Sequence, residues 1–95
     1  QVKESYNEKG IENGNSYYFS SMKLPLTSSD KVLKMLQKEG FEITRQRGSH
    51  ISLHRKDSTK TLLVVVPRKN RIKKGTLLSI IRQSGMERDE FLQKL

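Results

Sequence analysis

Apolar residues change their spacing several times along this chain, and each change marks an element. Val32, Leu33 and Leu36 recur at helical spacing, while Lys31, Lys34 and Lys38 take the other side. Thr27-Ser28-Ser29-Asp30 has the spacing of a capping box opened by Thr27, which predicts a helix start there. Gly40 suits the left-handed position after the last turn, and Phe41 is expected to fold back onto Leu36.

The period then falls to two. Phe41, Ile43, Ile51 and Leu53 are odd-numbered, whereas Glu42, Thr44, Gln46, His50, Ser52 and His54 are even. Two strands joined as a hairpin follow from this alternation. A two-residue Gly48-Ser49 turn would pair Arg47 with His50 but set Ile43 opposite His54, mixing the faces. A three-residue loop, Gln46-Arg47-Gly48 with Gly48 left-handed, pairs odd with odd and is the expected form. One face is then apolar, and the other carries His50, Ser52 and His54 into solvent. Asp57-Ser58 makes the next turn, and Thr61 to Val66 is a third strand ended by Pro67. Its run Leu62-Leu63-Val64-Val65-Val66 is apolar on both faces, more than a sheet covered on one side needs. A partner, a second copy forming a homodimer, or the Tyr17-Tyr18-Phe19 segment is expected over its outer face.

Gly75-Thr76 predicts a second helix with Thr76 as its cap, and Leu77, Leu78, Ile80 and Ile81 as its buried stripe. Gly85 closes it. Glu87 to Leu95 reads as a last short helix held by Phe91, Leu92 and Leu95. Residues 1–21 are polar and without period, so they read as a disordered leader, and Met22 is a candidate initiator. The expected architecture is α+β in two layers. Helices cover one face of a three-stranded antiparallel meander, in the order α-β-β-β-α with a short final helix, over a domain spanning 22–95.

Charge narrows the class of partner. The chain carries a net charge of +9, and its centre is more basic than its ends. From Arg45 to Arg82 there are eleven lysines and arginines against one acid, Asp57. That distribution points to a polyanion, nucleic acid before an anionic membrane. No stretch combines an apolar face with a lysine-rich one and aromatic anchors, so no membrane partner is expected. With no cysteine, disulfides and thiolate metal sites are excluded, which fits a reducing cytosol, and a cytoplasmic location is expected.

Arg45-Gln46-Arg47-Gly48-Ser49-His50 holds the chemistry. Imidazole is the side chain best suited to moving protons near neutral pH, and guanidinium groups clamp phosphate oxygens. His50 is either a general base or acid acting on RNA, or a plain surface histidine on a polar strand face. His54 lies four residues further along the strand, roughly 13 Å away, too far to share one phosphate with His50. The second catalytic element would be an arginine, a lysine, a hydroxyl such as Ser49 or Ser52, or water. Two histidines so spaced, without clustered carboxylates, fit no usual metal set, and no cofactor is expected. The basic run Arg68 to Lys74 leads into a helix N-terminus, where free N–H groups attract phosphate. It is equally readable as a solvated linker.

Residues 22–95 resemble the HicA (YcfA-like) toxins, small RNA-cleaving proteins of toxin–antitoxin pairs. The resemblance rests on Leu24-Pro25, Gly40-Phe41, the RQRGSH segment ending at His50, Val66-Pro67, Lys74-Gly75-Thr76-Leu77, Ile80-Ile81-Arg82-Gln83-Ser84-Gly85-Met86 and Phe91-Leu92. It implies a double-stranded-RNA-binding-domain-like fold and a metal-independent mRNA-cleaving endoribonuclease that relies on the GSH histidine, here His50. It also implies a HicB-type antitoxin as neutralising partner. The RNA-contacting residues expected on this footing are Arg45, Arg47, Gly48, Ser49, Arg68, Lys69, Lys73 and Lys74. One departure stands out. Many members carry a histidine after the Pro-Arg step, where this chain has Lys69. The competing expectation is a non-catalytic RNA-binding module of the same fold.

Overall fold

The computed structural model describes residues 23–95; the leader expected over 1–21, its aromatic cluster and Met22 lie outside the described residues. Six elements follow in order: α1 (Ser29–Lys38), β1 (Glu42–Arg47), β2 (His50–Lys56), β3 (Thr61–Pro67), α2 (Lys74–Ser84) and α3 (Arg88–Lys94). The strands form one three-stranded antiparallel sheet in the order β1-β2-β3, the expected meander.

The first helix starts one residue later than its capping box suggests. Ser28, in extended backbone, caps α1 by accepting from the Lys31 N–H at 3.3 Å. Thr27 is buried instead, its hydroxyl without a hydrogen-bond partner among the described residues, and its carbonyl accepts from the Ile72 N–H at 2.9 Å. That long-range bond outweighs a local cap. The other end behaves as the sequence predicts. Gly40 adopts φ +94°, and the Gly40 and Phe41 N–H groups donate to the Gln37 and Leu36 carbonyls at 3.1 and 3.0 Å. Phe41 is thereby turned into the core.

The hairpin corrects the expected loop. The turn is the two-residue Gly48-Ser49, with Arg47 opposite His50 and Gly48 at φ +59°. Parity is rescued elsewhere, because the register shifts between Ile43 and Arg45, leaving Thr44 as the extra residue of a bulge. Ile43 thus still faces Leu53. The bulge has a further effect: Arg45 and Arg47, which strict alternation would place with Ile43, instead share the outer face with Ser52 and His50.

One core fills the space between sheet and helices. Phe41, Ile51, Leu53, Val64 and Val66 meet Val32, Leu33, Met35 and Leu36 of α1, Leu77, Ile80 and Ile81 of α2, and Phe91 and Leu92 of α3. Leu78, expected in the buried stripe, is 40% exposed, because α2 packs through Leu77, Ile80 and Ile81 at the β3 edge. The cap of α2 is also not Thr76 but Lys73, which offers no side-chain bond, so Thr76 lies within the first turn. The outer edge of β3 is sealed where the Val65 N–H donates to Gln83 Oε1 at 2.8 Å. Leu63 on the outer face remains 48% exposed. Among the described residues no helix is long and apolar enough to cross a membrane.

Candidate functional site

His50 opens β2 and its side chain is exposed. It stands on the side of the strand away from the buried Ile51, flanked by Arg47 on β1 and Pro67 on β3. No hydrogen bond or ion pair engages its ring among the described residues. Both ring nitrogens are therefore open to a ligand.

The wall facing this ring is built by the 68–73 loop, and the loop is held at several points. The Arg68 N–H donates to the Ser49 carbonyl at 2.6 Å, tying it to the hairpin turn. Ser29, 2% exposed at the start of α1, grips the next residue three times. Its N–H and its hydroxyl both donate to the Lys69 carbonyl, at 2.9 and 3.0 Å, and the Lys69 N–H donates back to Ser29 Oγ at 3.0 Å. Ile72 is buried and bonded to Thr27. A segment with this many fixed backbone groups presents its cations at defined places.

Between loop, α2 and sheet lies a cleft of about 340 Å³. His50 and Pro67 line one side; Lys69, Arg71, Ile72, Lys73 and Thr76 line the other. The N-terminus of α2 also opens here, with no side chain capping its first N–H groups. An anion entering the cleft meets three cationic side chains and a helix end of positive polarity.

The expected site residues fall into two groups. His50, Lys69 and Lys73 converge on the cleft. Arg45 and Arg47 share the outer face with His50 but do not line the cleft. Gly48 and Ser49 form the turn that delivers His50. Arg68 turns towards Asp30 at 3.5 Å, an exposed pair, and Lys74 lines a separate depression with Lys23, Leu24 and Arg88. Sequence reasoning missed Arg71 and Thr76 as site residues. Arg71 was visible only as part of a basic run, and nothing in a linear sequence shows which cations of a loop face inward. Among the described residues no three His, Asp or Glu side chains converge as a metal site would require.

The second histidine sits apart. His54 Nδ1 lies 2.5 Å from the Thr44 hydroxyl, so the bulge that reorients Arg45 also tethers this ring.

Fold and site together define a small α+β domain with an exposed imidazole in a cationic cleft. Residues 29–86 match the family model described as HicA toxin of bacterial toxin-antitoxin, which covers more than half of the chain. The chain belongs to the HicA toxin family. No curated protein gives a significant match.

Proposed function

We propose that this protein is the toxin of a toxin–antitoxin pair and acts as an endoribonuclease on mRNA without a metal ion, with His50 as the proton-transferring residue. The observation that carries this reading is the exposed, unengaged imidazole of His50 in a cleft lined by Lys69, Arg71 and Lys73. In the proposed reaction the 2′-hydroxyl of a ribose loses its proton and attacks the adjacent phosphorus. The bond from phosphorus to the 5′-oxygen breaks, and that oxygen is protonated as it leaves. The products are a 2′,3′-cyclic phosphate and a 5′-hydroxyl end. His50 makes one of the two proton transfers, and Lys69 or water makes the other.

Charge that builds on the phosphate oxygens in this reaction is opposed by Lys69, Arg71, Lys73 and the α2 N-terminus. Arg45 and Arg47 hold the strand outside the cleft. Lys69 stands where many family members have a histidine, and here an ammonium-bearing side chain takes that place beside the phosphate. A HicB-type antitoxin neutralises the protein by covering this cleft, and the site of action is the cytoplasm.

The experiment is incubation of purified protein with end-labelled RNA in excess chelator, for the wild type and His50→Ala. Fragments from the wild type alone, ending in cyclic phosphate, support the reading. Intact RNA shifted equally by both proteins would make this a non-catalytic RNA-binding module.

A further inference from the structure

Among the described residues there is a groove larger than the His50 cleft. It lies at the far end of β2, about 570 Å³ in volume, and its lining includes Glu42, Thr44, His54, Lys56 and Thr61. Nothing in the proposed cleavage uses it.

We propose that this groove is a second phosphate subsite for the same RNA, occupied by an extended single strand that runs along β2 from the His50 cleft; the inference rests on the reading of that cleft as an RNA site. Residues of β2 that point away from the core are His50, Ser52, His54 and Lys56, in sequence steps of two. Such positions recur about every 6.6 Å along a strand. All four side chains can donate hydrogen bonds. Opposite them on β1, Arg47 faces His50 and Arg45 faces Ser52, so cations accompany the first half of the row. Lys56 supplies the charge at its far end. A straight row of donors follows an extended strand, whereas the phosphates of a duplex curve away from any line.

His54 is prepared for this task in a way His50 is not. Thr44 Oγ1 lies 2.5 Å from His54 Nδ1 and 3.4 Å from the Ser52 carbonyl, so the hydroxyl fixes the ring plane. Nδ1 is thereby occupied by Thr44, and Nε2 is the ring nitrogen left for a ligand. A ring already held in place loses little freedom on binding. Beneath it, Arg55 is engaged elsewhere: its guanidinium stacks on Phe41 at 4.9 Å and donates to the Glu39 carbonyl at 3.0 Å. It forms the wall of the groove and is not a ligand. Glu42, directly opposite His54, is the one acid in the lining and bounds the phosphate path on its β1 side. Phe41 and Phe91 are buried, so no phenylalanine of the described residues offers a base a stacking surface here. Recognition at this subsite is therefore of the backbone, not of base identity.

The test uses the full chain carrying His50→Ala, which keeps RNA intact, and a short fluorescein-labelled single-stranded RNA followed by anisotropy. Adding His54→Ala should weaken binding about tenfold, and Thr44→Val about threefold. Glu42→Gln should tighten it. Lys56→Ala should lower the slope of log affinity against log salt by about one. Circular-dichroism melts matching the parent show that these outer-face variants are folded. RNA binding that ignores both His54→Ala and Thr44→Val overturns the subsite while leaving the cleft reading intact, and would turn attention to a protein partner for the groove. Equal affinity for a duplex of the same sequence overturns the extended-strand path. Absence of RNA binding by the parent, with no cleavage by the wild type, removes both readings together.

Discussion

The two ends of β2 each carry a histidine on the outer face, and the fold treats them differently. At one end His50 has no partner among the described residues, while the loop facing it is fixed by hydrogen bonds to Ser29, Thr27 and Ser49. At the other end the ring itself is tethered, by Thr44. One ring is left open to a ligand inside a rigid cleft, while the other has one nitrogen already occupied. Residue type alone says nothing about this division. It comes from what reaches each ring.

The sharpest way to break the comparison is to remove each ring in turn. His50→Ala should lower the RNA cleavage rate by about 10²–10⁴, the usual contribution of general acid–base help. His54→Ala should lose less than about tenfold, read in the same assay with labelled RNA. Equal losses would mean that the two ends do the same work.

Next comes the scaffold of the His50 end. Ser29→Ala removes the hydroxyl that both gives to and takes from the Lys69 backbone, in a partly buried setting. Leaving those groups unpaired costs about 1–3 kcal/mol, which lowers the melting temperature by roughly 5–15 °C in a domain of this size. Cleavage should fall as well, because the loop that carries Lys69 and Arg71 loses its clamp. A melt unchanged by Ser29→Ala would show that the cleft wall is held by other means.

The scaffold of the His54 end is probed by Gly40→Ala. Gly40 has φ +94°, and an added Cβ would lie 3.3 Å from Arg55 Cδ. The left-handed backbone alone makes this unfavourable by about 1–2 kcal/mol, visible as a lower denaturant midpoint. The smallest effect concerns α3, which is joined to the same corner. Lys94 Nζ lies 2.9 Å from Glu39 Oε1, and that hydrogen bond, with the nearby Glu39 and Glu90 charges, raises the Lys94 pKa above the usual lysine value. A raised folded-state pKa stabilises the protein below the unfolded value, and the contribution disappears as pH climbs through the folded one. Lys94→Gln should therefore melt slightly below the wild type at neutral pH, less so in high salt, and level with it at strongly alkaline pH.

Much of this molecule was legible in its letters. The α1 stripe, the glycine stop at Gly40 with Phe41 folding back, and the order of elements all follow from local spacing. So does the exposure of His50, which an alternating strand places opposite Ile51. The errors share one cause. Ser28 replaces Thr27 as cap because Thr27 is drawn into the core by a bond to Ile72, far along the chain. The turn is two residues long, and a bulge at Thr44 corrects the faces, a solution that counting odd and even positions cannot reveal. Lys73 rather than Thr76 precedes α2, since the loop before it is pinned by Ser29 and Thr27.

The sequence by itself determined which segments become helix or strand, because capping, glycine freedom and apolar period act over a few residues. It also determined that a histidine would stand among cations. Tertiary structure alone decided which cations meet that histidine and which face Arg45 and Arg47 occupy. Those choices depend on bonds between residues forty positions apart and on one extra residue in an edge strand. Neither leaves a periodic mark on the chain.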